Sequence, residues 1–283
     1  MPIREHVLTI PQGYRLFARE WAPESPPHAL ILLVHGLGEH SGRYHHVAQA
    51  FNRHGWLVLA PDLPGHGRSE GKRGHIRTYD EFLDIFDWLR QDLQQRFPGI
   101  PQILFGHSMG GNLVLYYALQ RTPPLRGVIA CSPGLRAAKP SPIPLWLGKL
   151  LRGLFPALLI NNGLDLNGLS RDPQVIQTYV DDPLVHPHIS LSLGLGLLEA
   201  GQWLLEWEGE FPYPLLLMQG TADRLVDPVA TSQFASRLHG PVVYKAWEGF
   251  YHELHNEPEK DAVIAYMLDW IRAIVEDQQQ TPS

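Results

Sequence analysis

The chain has little cysteine and no excess of basic residues. Its one cysteine among 283 residues, Cys131, excludes an intrachain disulfide. This is typical of a protein from a reducing compartment, and a cytoplasmic location is expected. Lysine and arginine number 23 against 29 aspartates and glutamates, which gives a formal net charge of −6. Because nucleic-acid-binding surfaces are rich in positive charge, nucleic acid is not expected as a partner.

The sequence also lacks long apolar segments. Residues 1–9 contain no apolar stretch of the kind found in a secretory signal, so none is predicted. Residues 144–160 form the most apolar stretch, but Lys149, Arg152 and Pro156 interrupt it. It is therefore too short and too charged to span a bilayer.

The 15 histidines do not form a known metal-binding pattern. The segment H-E-L-H at 252–255 is one residue short of the H-E-x-x-H spacing that places two imidazoles on one helix face. No cysteine and histidine pairs with zinc-site spacing occur either. We therefore expect neither a metal nor any other cofactor.

What the sequence does contain is a regular alternation of short apolar runs and helical patterns. Continuous apolar runs such as 30–34 suit parallel strands that are covered on both faces. Turn residues at 11–13 predict an antiparallel hairpin of the first two strands at one edge. Eight strands are predicted, over residues 6–10, 14–21, 30–35, 56–61, 102–105, 127–132, 214–219 and 242–247.

Helices are predicted between these strands. Residues 78–97 begin with a capping box, Thr78 and Glu81, and continue with apolar residues at helical spacing. Further helices are predicted over 109–120 and from about residue 258 onward. The pattern predicts an α/β fold with a doubly wound, mostly parallel eight-stranded sheet and helices on both faces.

Residues 134–211 break this alternation and are rich in leucine, tryptophan, glycine and proline. We interpret them as a helical cap inserted into a core of residues 1–133 and 212–283, over the sheet edge where ligands bind. Most of the leucines would form the core of the cap, and others would line an acyl channel or touch a membrane. Lys149 and Arg152, near Trp146 and Phe155, suit an interfacial amphipathic helix, so peripheral membrane contact is a hypothesis.

The segment G-H-S-M-G at 106–110 stands between a predicted strand and a predicted helix. In this context the G-x-S-x-G motif is typical of a nucleophile elbow, where a strained turn presents the serine at a helix N-terminus. Gly106 and Gly110 would let the strand and the helix pass closely. Ser108 is therefore the candidate nucleophile; a plain tight turn is the alternative.

A serine nucleophile needs a base, and the base needs an orienting carboxylate. In the α/β-hydrolase fold, of which this elbow is typical, they follow in the order serine, acid, histidine. Asp223 comes just after the seventh predicted strand, whereas Asp227 precedes Pro228 and suits a helix N-cap. His252, in the loop after the last strand, is the predicted base, and His255 is the alternative.

The oxyanion of an acyl-transfer intermediate needs two backbone amide donors. Met109, which follows the nucleophile, is predicted to supply the first. Leu37, between Gly36 and Gly38 in the loop after the third strand, is predicted to supply the second. His35 is expected to brace this loop rather than to take part in the chemistry.

Five segments together resemble the monoacylglycerol lipase family of α/β-hydrolases. They are H-G-L-G-E-H-S-G-R-Y at 35–44, D-L-P-G-H-G-R-S at 62–69, G-H-S-M-G-G at 106–111, G-T-A-D-R-L-V-D at 220–227 and Y-H-E-L-H-N-E at 251–257. The resemblance implies a catalytic triad of Ser108, Asp223 and His252, in agreement with the spacing.

The same resemblance implies residues that bind a glycerol leaving group. Glu39, Arg43 and His255 match these positions, and Tyr179 is expected to reach the same site. A carboxylate, a guanidinium and an imidazole can all hydrogen-bond to vicinal hydroxyls. For Glu39 and Arg43 an internal ion pair that braces the loop is the alternative, and both roles can hold together.

The predicted function is cofactor-free hydrolysis of monoacylglycerols to fatty acid and glycerol through an acyl-enzyme, with a small lipid ester as the partner. The alternatives are a lysophospholipase or a general carboxylesterase of the same fold. An aminopeptidase would need an acidic pocket for a free amine, for which Glu39 alone gives little support. A non-enzymatic scaffold of this fold usually lacks a triad residue, and this chain has all three.

Overall fold

The computed structural model describes residues 3–139 and 145–276 and contains a central sheet of eight strands. They are β1 (Ile3–Thr9), β2 (Arg15–Trp21), β3 (Ala29–Val34), β4 (Trp56–Pro61), β5 (Gln102–His107), β6 (Gly127–Cys131), β7 (Leu215–Gly220) and β8 (Val242–Trp247). Their order is β1-β2-β4-β3-β5-β6-β7-β8. β2 pairs antiparallel with β1 and β4, and the other neighbours are parallel. The predicted sheet and its edge hairpin are confirmed.

Helices cover both faces of this sheet, because alternate residues of each central strand face opposite sides. Leu30 and Leu32 of β3 belong to one buried cluster, whereas Ile31 and Leu33 belong to the other. The helices of the described residues are α1 (His45–Arg53), α2 (Asp80–Arg96), α3 (Met109–Arg121), α4 (Leu145–Leu154), α5 (Pro173–Asp181), α6 (Leu191–Glu206), α7 (Pro228–Arg237) and α8 (Lys260–Glu276). The first cluster includes residues of α2, α3, α6 and α7, and the second includes residues of α1 and α8.

The start of α2 differs from its prediction. The helix begins at Asp80, its N-cap is Tyr79, and no side chain caps it. The predicted capping box of Thr78 and Glu81 is therefore wrong. The Glu81 carboxylate instead pairs with the guanidinium of Arg77.

The residues between β6 and β7 contain α4, α5 and α6, together with a small antiparallel pair of strands, Leu159–Asn161 and His188–Ser190. This pair is not among the predicted strands, because three-residue strands give no measurable alternation. The insertion bonds to loops at the carboxyl edge of the sheet: His186 N–H donates to Gly38 O at 2.9 Å, and Glu253 N–H donates to Leu169 O at 2.8 Å. No helix within the described ranges is long and apolar enough to cross a bilayer.

The close passage of α3 over the sheet depends on two glycines. A Cβ atom on Gly106 would lie 2.1 Å from the carbonyl oxygen of Gly110. A Cβ on Gly110 would lie 2.2 Å from the carbonyl oxygen of Val34 in β3. Both distances are far below van der Waals contact, so only glycine allows β5 and α3 to meet at this angle.

We expect Gly110→Ala to lower the free energy of unfolding by about 1–3 kcal/mol, because the added methyl overlaps a backbone carbonyl that cannot rotate away. Gly153→Ala is the matched control, since a Cβ on this exposed glycine of α4 meets no atom within 4 Å. The control should be neutral or stabilise the protein by up to about 1 kcal/mol. Denaturant unfolding of the two variants checks this; equal stability would contradict the close packing.

Candidate active site

Ser108 lies at the junction of β5 and α3 with a strained backbone. Its φ and ψ are 57° and −118°, a conformation that a residue other than glycine rarely adopts. Three backbone hydrogen bonds hold it there. Its N–H donates to Cys131 O at 3.0 Å, and its carbonyl oxygen accepts the N–H groups of Asn112 and Gly134, each at 2.9 Å. The turn leaves the side chain half-buried at the N-terminus of α3.

The structure brings Ser108, His252 and Asp223 together from three distant parts of the chain. His252 Nε2 lies 2.9 Å from Ser108 Oγ, and His252 Nδ1 lies 2.8 Å from Asp223 Oδ2. A carboxylate can only accept, so Nδ1 carries the proton and the lone pair of Nε2 faces the serine hydroxyl. In this arrangement the imidazole can remove the hydroxyl proton.

The carboxylate of Asp223 is fixed by several donors besides His252. Its Oδ1 accepts the N–H groups of Leu225 at 2.8 Å and Val226 at 3.1 Å, and its Oδ2 accepts Gln219 Nε2 at 2.9 Å. Burial alone would raise the pKa of Asp223, but the charge of His252 and these hydrogen bonds hold the pKa below its ordinary value. Asp223 is therefore ionised at neutral pH and fixes the orientation of the ring.

The pKa of His252 lies above its ordinary value. Burial would lower the pKa, but the charge of Asp223 and its hydrogen bond to Nδ1 outweigh this, with smaller contributions from Glu253 and Glu39. An imidazole in this environment is a stronger base than free histidine, and its charged form is stabilised.

The competing acid, Asp227, has another role. It is the N-cap of α7, where its Oδ1 accepts the N–H of Val229 at 2.9 Å, and its Oδ2 pairs with the guanidinium of Arg136 at 2.8 Å. Its position before Pro228 predicts this capping role.

Glu39 lies at the centre of a buried polar network. Its Oε1 accepts the N–H of Gly36 and the hydroxyl of Tyr44, each at 2.6 Å, and its Oε2 accepts the guanidinium of Arg43. Arg43 also donates to both oxygens of Glu253 at 2.7 Å. Burial would raise the pKa of Glu39, but Arg43 above all holds it well below its ordinary value. Glu39 therefore stays ionised and fixes the loop that begins at His35.

A cavity of about 20 Å³ lies beside Ser108, with room for about one water molecule. Of the residues predicted to contact glycerol, Glu39 and Tyr179 line it, whereas Arg43 and His255 do not. Arg43 is occupied by two carboxylates and contacts the ring of Tyr179, with Cζ 4.7 Å from the centroid. His255 is fully buried and stacks on Tyr44, which donates to Glu39. Both residues therefore lie behind the wall of the cavity.

Five further lining residues were not among the sequence candidates. Glu253 directly follows the histidine of the triad, and His107 directly precedes the nucleophile. This adjacency in the sequence is the feature that could have predicted both as lining residues. The other three are leucines: Leu164, Leu169 and Leu225. Leu164 and Leu169 belong to the 134–211 region, in which some leucines are expected to line an acyl channel.

The predicted oxyanion donors lie at the expected places. Leu37 and Gly36 line the cavity with Ser108, and Met109 begins α3 directly after the nucleophile. Among the described residues, the Leu37 amide donates to no backbone or side-chain oxygen. The use of the two amides as an oxyanion hole stays a prediction.

Comparison with known proteins places this geometry in a family. The family model described as serine aminopeptidase, S33 (Hydrolase_4) matches residues 25–259. A monoacylglycerol lipase of Mycolicibacterium smegmatis is 36% identical, over 94% of this chain and 96% of that protein. The crystal structure of Paleococcus ferrophilus monoacylglycerol lipase has a TM-score of 0.85 at 35% identity, covering 93% of this chain and 99% of that one.

The chain belongs to the monoacylglycerol lipase family of α/β-hydrolases. The predicted family, fold and class of carboxylic ester hydrolase are therefore confirmed. Another relative, an uncharacterized abhydrolase domain-containing protein of Dictyostelium discoideum, is 37% identical over 95% of this chain, and the chain spans 29% of its length.

We expect Asp223→Asn to lower kcat by about 10⁴-fold, because the amide cannot stabilise the charged imidazole or fix its tautomer. On the acid side of the pH–rate profile, the remaining activity should fall off at a lower pH than the activity of the parent enzyme. The reason is that His252 must be neutral to act, and without Asp223 its burial lowers the pKa instead of being outweighed.

Asp227→Asn is the matched control for this pH–rate profile. Asparagine is also a good N-cap, so this variant should lose only its ion pair with Arg136, at about 1 kcal/mol or less, and keep its rate. A larger loss of rate in the Asp227 variant than in the Asp223 variant would show that the acid has been assigned to the wrong residue.

Proposed function

We propose that this protein hydrolyses the ester bond of monoacylglycerols, releasing a fatty acid and glycerol. The observation that carries the proposal is the chain of hydrogen bonds from Ser108 through His252 to Asp223, beside a cavity with an ionised Glu39 on its wall. The relatives named as monoacylglycerol lipases support the same substrate class.

In the proposed mechanism, Ser108 attacks the ester carbonyl while His252 Nε2 takes the hydroxyl proton. Asp223 stabilises the imidazolium that forms. The amides of Leu37 and Met109 bind the oxyanion of the tetrahedral intermediate. His252 then protonates the leaving glycerol oxygen, and a water molecule, activated by the same imidazole, releases the fatty acid from Ser108.

The glycerol moiety is proposed to bind Glu39 and Tyr179, which are on the cavity wall. Because Arg43 and His255 lie behind that wall, their part is to hold the contacting groups: Arg43 pairs with Glu39, and His255 stacks on Tyr44. This changes the prediction for Arg43 and His255 from direct contact to support. Oε1 of Glu39 already accepts two hydrogen bonds and Oε2 accepts one, so the remaining lone pair of Oε2 would accept a hydrogen bond from a glycerol hydroxyl.

Residues 134–211 are proposed to act as a cap that opens for the substrate. A cavity of about 20 Å³ cannot hold an acyl glycerol, so the segment around Leu164 and Leu169 has to move away from Ser108. The leucines of the cap would then bury the acyl chain, at about 0.8 kcal/mol for each methylene removed from water.

We expect the protein to hydrolyse monoolein faster than lysophosphatidylcholine at equal concentration, because a phosphocholine group is bulkier than a hydroxyl and brings a phosphate charge close to Glu39. Ser108→Ala should abolish both activities and keep the fold, as seen by circular dichroism. A higher rate with the lysophospholipid would contradict the proposal and favour the lysophospholipase alternative. Undiminished hydrolysis by the Ser108→Ala variant would show that Ser108 is not the nucleophile.

The cap also carries an exposed apolar surface, here called the cap patch: Trp146, Leu150, Leu154, Phe155 and Leu158. These side chains are exposed by 69, 57, 64, 58 and 47%. We propose that the cap patch contacts a lipid surface, which would make the protein peripherally membrane-associated.

The basic residues near the cap patch are paired. Lys149 Nζ lies 3.5 Å from Glu199, and Arg152 donates to the same carboxylate at 2.7 Å. The single carboxylate of Glu199 compensates one of these two positive charges, so the proposed contact depends on apolar burial more than on anionic lipid.

We expect the double variant Trp146→Gln/Leu150→Gln to lose most of its binding to neutral phosphatidylcholine vesicles in a sedimentation assay. Its hydrolysis of a soluble ester should stay unchanged. Val7→Gln is the matched control, because Val7 is exposed by 57%, as Leu150 is, but lies on β1. Equal vesicle binding by both variants, or binding that disappears with moderate salt, would contradict the cap patch as an apolar contact.

A further inference from the structure

A second group of reactive side chains lies next to the triad, here called the His–Cys cluster: His107, Cys131 and His255. One potential ligand atom of each residue lies within 4.8 Å of the others. All three are buried, with at most 2% of any residue exposed. The rings of His107 and His255 meet edge to face, with their centroids 4.8 Å apart. The centroid of the His107 ring also lies 4.8 Å from that of His252.

The cluster contains polar atoms without partners. Within residues 3–139 and 145–276, Nδ1 of His107 and both ring nitrogens of His255 make no hydrogen bond. A buried group of this kind costs about 1–3 kcal/mol when it is left unsatisfied, so its retention calls for an explanation. The proposed ester hydrolysis uses neither Cys131 nor these nitrogens.

We propose that the His–Cys cluster binds a thiophilic divalent cation such as Zn²⁺, and that the bound cation inhibits the enzyme. Imidazole nitrogen and thiolate sulfur are both ligands that zinc commonly takes in proteins. Metal–ligand bonds of about 2.0–2.3 Å place the ligand atoms of a tetrahedral site about 3.5 Å apart. The three ligand atoms of the cluster, which lie within 4.8 Å of one another, therefore need to move closer together by about 1 Å.

Binding of the cation releases one proton. Burial raises the pKa of the Cys131 thiol, so the cation itself has to displace this proton: the S–H bond breaks, the sulfur–metal bond forms, and the proton leaves to solvent. Both imidazoles are already neutral at neutral pH, since burial lowers the pKa of His107 to about 4 and that of His255 well below its ordinary value. Their lone pairs are therefore free to coordinate without further proton loss.

The inhibition follows from the position of His107 between the cluster and the triad. A cation held on His107 would stand one ring away from His252, which has to become positively charged when it takes the Ser108 proton. Like charges this close disfavour the imidazolium. This second part of the proposal rests on the proposed function, whereas the binding of a cation does not.

Titration of the full chain with Co²⁺ tests the binding by absorption spectroscopy. Cobalt bound to a thiolate gives a charge-transfer band in the near ultraviolet, and Cys131 is the only cysteine that could produce it. We expect one equivalent of Co²⁺ to give this band, Zn²⁺ to displace it, and both Cys131→Ala and Cys131→Ser to abolish it. His54→Gln, at a histidine that contacts Arg272 and Trp56 and does not belong to the cluster, should leave it unchanged.

Hydrolysis of a soluble ester tests the inhibition. We expect saturating Zn²⁺ to lower the rate about ten-fold or more, reversibly with EDTA, and to leave the folded Cys131→Ala variant unaffected. The absence of a cobalt band in the parent protein would overturn the site, whatever the enzyme hydrolyses. A cobalt band with no inhibition by Zn²⁺ would overturn its inhibitory role, and equal inhibition of the Cys131 variant would do the same.

Discussion

The backbone conformation of Ser108 is the constraint on which the site depends. Holding a serine at φ 57° costs about 1–3 kcal/mol, and contacts with the surrounding fold have to offset this strain. Hydrogen bonds from β6 and α3 do so, and Gly106 and Gly110 leave the space that the turn needs. In return, the hydroxyl stands 2.9 Å from the imidazole of a residue 144 positions further along the chain. The rigid sheet makes this distance reproducible, because Ser108 and His252 follow two strands of the same sheet, β5 and β8.

A buried ion cluster then joins the two sides of the site. Arg43 bonds to Glu39, which fixes the loop that carries Leu37, and to Glu253, which is next to the base. One guanidinium therefore links the loop of the proposed oxyanion hole to the loop of the triad histidine. Buried charges of this kind are expensive unless each is paired, and here every carboxylate oxygen has a donor. The network gives the site its precision and explains why Arg43 is not on the cavity wall.

Local patterns in the sequence were sufficient for the sheet and for the order of its elements. Apolar runs mark buried parallel strands, and the glycines around Ser108 mark the elbow, because these signals depend on neighbours within a few residues. The capping box at Thr78 was wrong because Arg77 competes for Glu81. The position of His255 behind Tyr44, the three-residue strands of the insertion, and the His–Cys cluster all depend on tertiary packing. No spacing rule could have joined residues 107, 131 and 255.

The most direct test of the account is labelling of the intact protein with a fluorophosphonate, followed by peptide mapping by mass spectrometry. This reagent modifies only a serine whose hydroxyl is activated by a neighbouring base. We expect one label per chain, on Ser108, formed at a rate that falls as His252 becomes protonated at low pH. A label on another serine, or active hydrolysis by a protein in which Ser108 stays unlabelled, would contradict it.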